Sequence, residues 1–182
     1  MKPAILVVDD EPGVRNALSG VLRDEGYLVD TVDSGEGCLD RTTRAVYDLI
    51  LLDIWLPGID GLATLQRLRD RQVDAAVIMI SGHGNIESAV KAIRSGAYDF
   101  IEKPLSLEKT VLAVSNALRQ RHLEQENRAL RARVDQDLTM VGESYAMHQL
   151  REQVAMAAPT NGRVLIFGEN GKIGRASCRE RV

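Results

Sequence analysis

Five short apolar runs, each followed by a stretch with apolar residues three and four apart, constrain this chain more than anything else in it. The runs are Ala4–Val8, Tyr27–Val32, Asp48–Asp53, Ala75–Ile80 and Tyr98–Ile101. A short apolar run bounded by turn signals, as at Leu49–Leu52, reads as a strand buried on both faces, and Tyr27–Val32 alternates as a strand should. The first intervening helix carries Val14, Leu18, Val21 and Leu22, enters at Pro12 and stops at Gly26. The second is capped by Ser34 and runs to Arg44, and the third is capped by Asp60 with Leu62, Leu65 and Leu68 on one face. Asn85 caps the fourth, which carries Ile86, Ala89, Val90 and Ile93 and closes at Gly96, and Leu107 opens the last. Strand and helix in strict alternation predict an α/β domain: a parallel sheet with helices on both faces.

In such sheets ligand chemistry gathers beyond the carboxyl ends of the strands. Those ends are unusually polar here. Asp9 and Asp10 close the first strand, Asp53 the third, Ser81 the fourth and Lys103 the fifth. With strand order 2-1-3-4-5 the three aspartates converge at one edge. Crowded carboxylates repel unless a cation sits among them, and hard oxygen ligands suit Mg²⁺. A lysine and a hydroxyl at the same edge suit an oxyanion, such as a phosphoryl group on Asp53. Each residue alone has an ordinary alternative, since acids and serines are common turn residues. Their joint placement does not.

The formal net charge of -3 argues against nucleic-acid binding as the main task of this stretch. No apolar run approaches the roughly 18 residues of a membrane span, and Met1-Lys2-Pro3 lacks a signal-peptide layout. Cys38 and Cys178 make neither a disulfide framework nor a metal-ligand spacing, so the expectation is a cytoplasmic protein with no membrane partner.

Val7-Val8-Asp9-Asp10-Glu11, Leu51-Leu52-Asp53-Ile54-Trp55-Leu56-Pro57, Ser81-Gly82 and Glu102-Lys103-Pro104 together resemble the receiver domain of two-component response regulators, over residues 3 to 120. The resemblance implies a flavodoxin-like (βα)5 fold and a phosphoryl group taken by Asp53 from a sensor histidine kinase. It implies Mg²⁺ held by Asp9, Asp10, Asp53 and the backbone carbonyl of Trp55. Ser81 would follow the phosphoryl group, Lys103 would pair with it, and Phe100 would be the aromatic whose rotamer reports the state. His83, Trp55 and Tyr98 stay open between a role at a partner face and none.

Met79-Ile80-Ser81-Gly82-His83-Gly84-Asn85-Ile86 and Gly96-Ala97-Tyr98-Asp99-Phe100-Ile101-Glu102-Lys103-Pro104 are similar to the NtrX-like branch of the NtrC class. There a receiver and a helical linker precede an AAA+ ATPase acting on sigma-54 RNA polymerase and a DNA-binding domain. The expected domains are a receiver at 1–120, a helical linker at 121–137, the truncated α/β start of the ATPase at 138–171 and a non-native, adapter-like tail at 172–182. Leu123, Asn127, Leu130 and Val134 read as a short heptad seam or as the weak stripe of a solvated linker. A homodimer through that linker or the last receiver helix is the expected assembly. The Gly168-Glu169-Asn170-Gly171 loop lacks the Gly-Lys pair of a nucleotide-binding loop, because Ile173, Gly174 and Arg175 follow, so no ATPase activity is expected from this chain. Sigma-54 polymerase and DNA would be partners of the full-length protein only.

Two other functions compete. An aspartyl-phosphate phosphatase wants a second acid two residues after its nucleophile, where Trp55 stands. A binding or dimerisation module would have lost some of the five polar strand-end residues, and all are present.

Overall fold

A computed structural model describes residues 2–82, 86–137, 142 and 144–157. His83, the Asn85 cap, the side chain of Val134, the expected strand at 163–167, the Gly168–Gly171 loop and the 172–182 tail lie outside the described residues.

β1 (Ala4–Val8), β2 (Leu28–Val32), β3 (Leu49–Asp53), β4 (Ala76–Ser81) and β5 (Asp99–Glu102) form a parallel sheet in the order β2-β1-β3-β4-β5. The order is the expected one, and each strand lies within a residue or two of its expected bounds. β3, in the middle, is buried at every position, as its unbroken apolar sequence requires.

Alternation along the strands sorts the core into two layers. Leu6, Val8, Ile50, Leu52, Val77 and Met79 pack on one face with residues of α2 (Gly35–Arg44), α3 (Gly61–Asp70) and α4 (Ile86–Arg94). Ile5, Val7, Leu49, Leu51, Ile78 and Ile80 pack on the other with Leu18 and Leu22 of α1 (Pro12–Asp24) and Val114 and Ala117 of α5 (Leu107–Asp137). Asp9 and Asp53 continue the odd-numbered phase of β1 and β3, so both lean toward the α1/α5 layer. The pairing Val8↔Leu52 brings these two acids side by side at the next step.

The local signals work as expected at several helix ends. Pro12 opens α1; the Ser34 hydroxyl accepts from Gly37 N; Asp60 Oδ1 accepts from Ala63 N at 2.6 Å. In α4 the larger of the described apolar side chains are not the most buried ones. Val90 and Ile93 are 44% and 46% exposed, and Ala92 is the fully buried residue, packed in the same cluster as Ala97. The helix thus packs through a small side chain and leaves larger apolar residues outside.

Two compact units divide the chain, 1–130 and 131–182. In the first, α5 is tied to the amino ends of the central strands. Arg121 Nη1 donates to the carbonyls of Asp48 (3.2 Å) and Asp74, and its guanidinium pairs with both carboxylates at 3.8 and 3.5 Å. Gln125 and Arg128, on successive turns, also reach Asp74. Leu123 and Leu130 of the same helix are 54% and 59% exposed. Arg121→Ala is expected to speed amide exchange across 119–130 by about tenfold while β3 stays protected, because a carbonyl-binding charge of this kind contributes on the order of 1.5 kcal/mol. Equal exchange in the two proteins would show the clasp to be idle. In the second unit, α6 (Tyr145–Ala157) carries the expected Met147, Leu150, Val154 and Met156, and Arg151 Nη2 donates to Gly142 O at 2.8 Å.

Candidate functional site

The polar strand-end residues meet through register. Asp53 pairs with Ile80 and Ser81 with Glu102, so β3, β4 and β5 end within one step of each other. Backbone bonds continue the sheet past its last rungs: Ile54 N donates to Ile80 O at 2.9 Å, and Lys103 N to Ser81 O at 2.7 Å. Asp9, Asp53 and Ser81 are all buried, an expensive place for carboxylates unless they are paired.

Lys103 supplies the pairing. Its ammonium lies 2.7 Å from Asp53 Oδ2, 2.9 Å from Glu11 Oε1 and 3.0 Å from Asp9 Oδ2. Burial by itself would lower the lysine's pKa, but the bonds it donates to Asp53 and Glu11 and its ion pair with Asp9 outweigh it and hold the ammonium above its ordinary range. Asp9 moves the other way from the usual acid. Desolvation dominates and raises it, although the Glu11 amide and Lys103 partly offset the shift.

Two backbone devices aim the acids. Asp53 Oδ1 accepts from Trp55 N at 3.1 Å, and Asp9 Oδ1 accepts from Glu11 N at 2.9 Å. Arg15, one turn into α1, donates through Nη1 to the carbonyls of Asp9 (2.6 Å) and Asp10 (2.9 Å), holding the β1–α1 loop in place. Gly61, the first residue of α3, lies against the backbone of Asp53 and Ile54, where a Cβ would collide with it.

The arrangement fits a divalent cation. Carboxylate oxygens of Asp9, Asp10, Glu11 and Asp53 lie within 4.8 Å of one another, and the buried Asp9 Oδ2 has the Lys103 ammonium 3.0 Å away as an ion pair but accepts no hydrogen bond of good geometry. A buried carboxylate oxygen with an open lone pair beside other acids is what a hard cation with several retained waters needs.

Of the residues expected from sequence, Asp9, Asp10, Asp53 and Lys103 come together. Ser81 is buried at the neighbouring strand end. Trp55 contributes its amide to Asp53, while its side chain is 62% exposed. Phe100 is half-buried on the opposite, α2/α3/α4 face of the sheet, not among the acids. Glu11, Arg15 and Gly61 carry no role in the sequence reading. Glu11 stands inside the first motif, and only its contact with Lys103 gives it one. An open cleft of about 480 Å³ runs beside β5 and α5 past Phe100, Pro104, Ser106 and Lys109; Lys103 lines it, but Asp9, Asp10, Glu11 and Asp53 do not.

Comparison with known proteins matches residues 5–115 to the response regulator receiver domain. The nitrogen assimilation regulatory protein NtrX of Azorhizobium caulinodans is 45% identical over 169 residues, 92% of this chain and 37% of that protein. A crystal structure of NtrX from Brucella abortus superimposes with a TM-score of 0.70 at 44% identity, covering 90% of this chain and 36% of that one. The crystal structure of its isolated receiver domain gives a TM-score of 0.61 at 46% identity, over 63% of this chain and 98% of that one. The chain thus spans little more than a third of the full-length relatives. Among the described residues, no helix is long and apolar enough to cross a membrane.

Proposed function

The chain belongs to the response regulator receiver family, and from that premise we propose that Asp53 takes a phosphoryl group from the phosphohistidine of a sensor histidine kinase. The observation that carries this reading is the environment of Asp53. It is a buried carboxylate at a strand end, with one oxygen on the Trp55 amide and the other on Lys103.

A carboxylate oxygen of Asp53 attacks phosphorus as the phosphorus–nitrogen bond breaks. The electron pair returns to the imidazole nitrogen, which takes a proton from solvent. The product is an acyl phosphate. The Trp55 amide holds Oδ1, which leaves the other oxygen for attack once Lys103 moves off it. Lys103, already at hydrogen-bond distance, then follows the charge to a phosphoryl oxygen. Mg²⁺ held by Asp9, Asp10, Asp53 and the Trp55 carbonyl would neutralise charge on the transferring group. The Ser81 hydroxyl turns to the new phosphate, and Phe100, across the sheet, changes rotamer in response. That gives a two-state switch on the α4–β5–α5 surface.

The same reading assigns residues 1–120 to the receiver and 121–137 to a linker, with the opening of an ATPase beyond. It makes the chain a signalling module with no steady turnover of its own, working in the cytoplasm. The exposed Leu123–Leu130 stripe favours a homodimer. Control of sigma-54 polymerase at DNA would belong to a longer protein.

Intact mass after incubation with acetyl phosphate is the test. Wild type is expected to gain about 80 Da only with Mg²⁺ present, and Asp53→Asn to gain nothing. A wild type that stays unmodified with both acetyl phosphate and a histidine-kinase domain would end this reading.

A further inference from the structure

We propose that Glu11 is a positioning residue that parks Lys103 when a divalent cation enters the acid site; the inference rests on the functional reading above. The ammonium of Lys103 touches Asp53, Glu11 and Asp9 at 2.7, 2.9 and 3.0 Å. A cation bound by Asp9 and Asp53 settles beside the two carboxylates that Lys103 now bridges. Two positive charges cannot share them, so the lysine has to give way.

Glu11 offers the place to go. Its side chain is at the rim, 61% exposed, whereas Asp9 and Asp53 are closed in. It already holds Lys103, so the ammonium can slide outward without losing its last carboxylate partner. Its backbone amide is committed to Asp9 Oδ1 at 2.9 Å, which keeps Glu11 in register with the residue that would bind the cation. The metal-bound site then keeps a lysine beside Asp53, placed to meet the phosphoryl group on arrival. Without Glu11 the ammonium must either compete for Asp53 and Asp9 or be pushed unpaired into a half-closed site, and either raises the cost of metal entry.

A neighbouring carboxylate also attracts a cation through its field, so the test separates the two effects. Trp55 is the sole tryptophan of the chain and stands two residues from Asp53, so its fluorescence reads Mg²⁺ titration directly, with no phosphoryl transfer involved. Glu11→Gln is expected to weaken Mg²⁺ binding about fivefold in the wild-type background. In Lys103→Met the same substitution is expected to change it by less than about twofold, because no lysine remains to be parked. Glu11→Asp keeps the charge but withdraws it by one methylene, and it should behave like Glu11→Gln.

An equal loss in both backgrounds, or full affinity in Glu11→Asp, would mean that Glu11 acts on the metal itself and would overturn the proposal. So would an unchanged affinity in Glu11→Gln. The Glu11→Asp arm does not depend on Lys103→Met folding normally. A wild type with no Mg²⁺ response at all, and no acyl phosphate, would instead count against the functional reading beneath it.

Discussion

Gly61→Ala is expected to cost about 3 kcal/mol of stability and to slow phosphoryl uptake at Asp53 by about a hundredfold. Gly61 N donates to Ile54 O at 2.9 Å, which draws the start of α3 directly onto the end of β3. A methyl group there would overlap the carbonyl oxygen of Asp53 and stand 2.8 Å from its carbonyl carbon and from Ile54 Cα. All three are backbone atoms in a fully buried segment, so no flexible side chain can swing aside. The relief must come from moving Asp53 itself, which pulls its carboxylate away from the Trp55 amide and from Lys103. Urea unfolding and the rate of adduct formation with acetyl phosphate measure the two effects. Gly20→Ala is the control: nothing lies within 4 Å of its Cβ position, and the change should stabilise α1 by roughly 0.5 to 1 kcal/mol. Equal midpoints and rates for Gly61→Ala and wild type would refute the close approach.

Asp9→Asn is expected to abolish the Mg²⁺ response of Trp55 and, at the same time, to raise the melting temperature by about 3 to 6 °C at pH 7. The direction follows from the raised pKa of Asp9, whose main cause is desolvation. A carboxyl that binds its proton more tightly folded than unfolded favours the native state fully below its unfolded value of 3.8. That contribution disappears as pH rises through the higher, folded value. At pH 7 the ionised Asp9 is therefore a burden that the asparagine removes. The advantage of the variant should shrink as pH falls toward 4, where wild-type Asp9 takes up its proton and both proteins carry a neutral side chain. A variant less stable than wild type at pH 7 would show that the contact with Lys103 outweighs the desolvation. The tension itself fits a functional site: charges are held where folding alone would not place them.

Much of this was readable before any coordinates. A strand buried on both faces has to be apolar along its whole length, so an acid or a lysine at its end stands out against the run before it. That contrast located Asp9, Asp53 and Lys103, and the alternation of runs with helical periods predicted a parallel sheet, whose 2-1-3-4-5 order is what the receiver resemblance implied. Local chemistry likewise placed Pro12, Ser34 and Asp60 at helix starts. Helices on both faces followed from the same alternation, while the structure showed which residues of β1, β3 and β4 face which helices.

Other features depend on how finished elements dock, and no window of sequence contains that. In α4, Val90 and Ile93 have the greater hydrophobicity, yet packing buries the small Ala92. Gly61 reads as an ordinary helix start until the backbone of Asp53 is seen against it. Arg121 finds carbonyls of residues 48 and 74, far back in the chain, only because α5 lies along the amino ends of β3 and β4. Glu11 and Lys103 are 92 positions apart, and neither residue's neighbours announce the other. Periodicity and strand-end chemistry are local, so the sequence by itself determined the sheet and which edge holds the acids. Ion pairs and backbone approaches between distant elements form only after docking, so the tertiary structure alone decided how those acids are held and where their lysine rests.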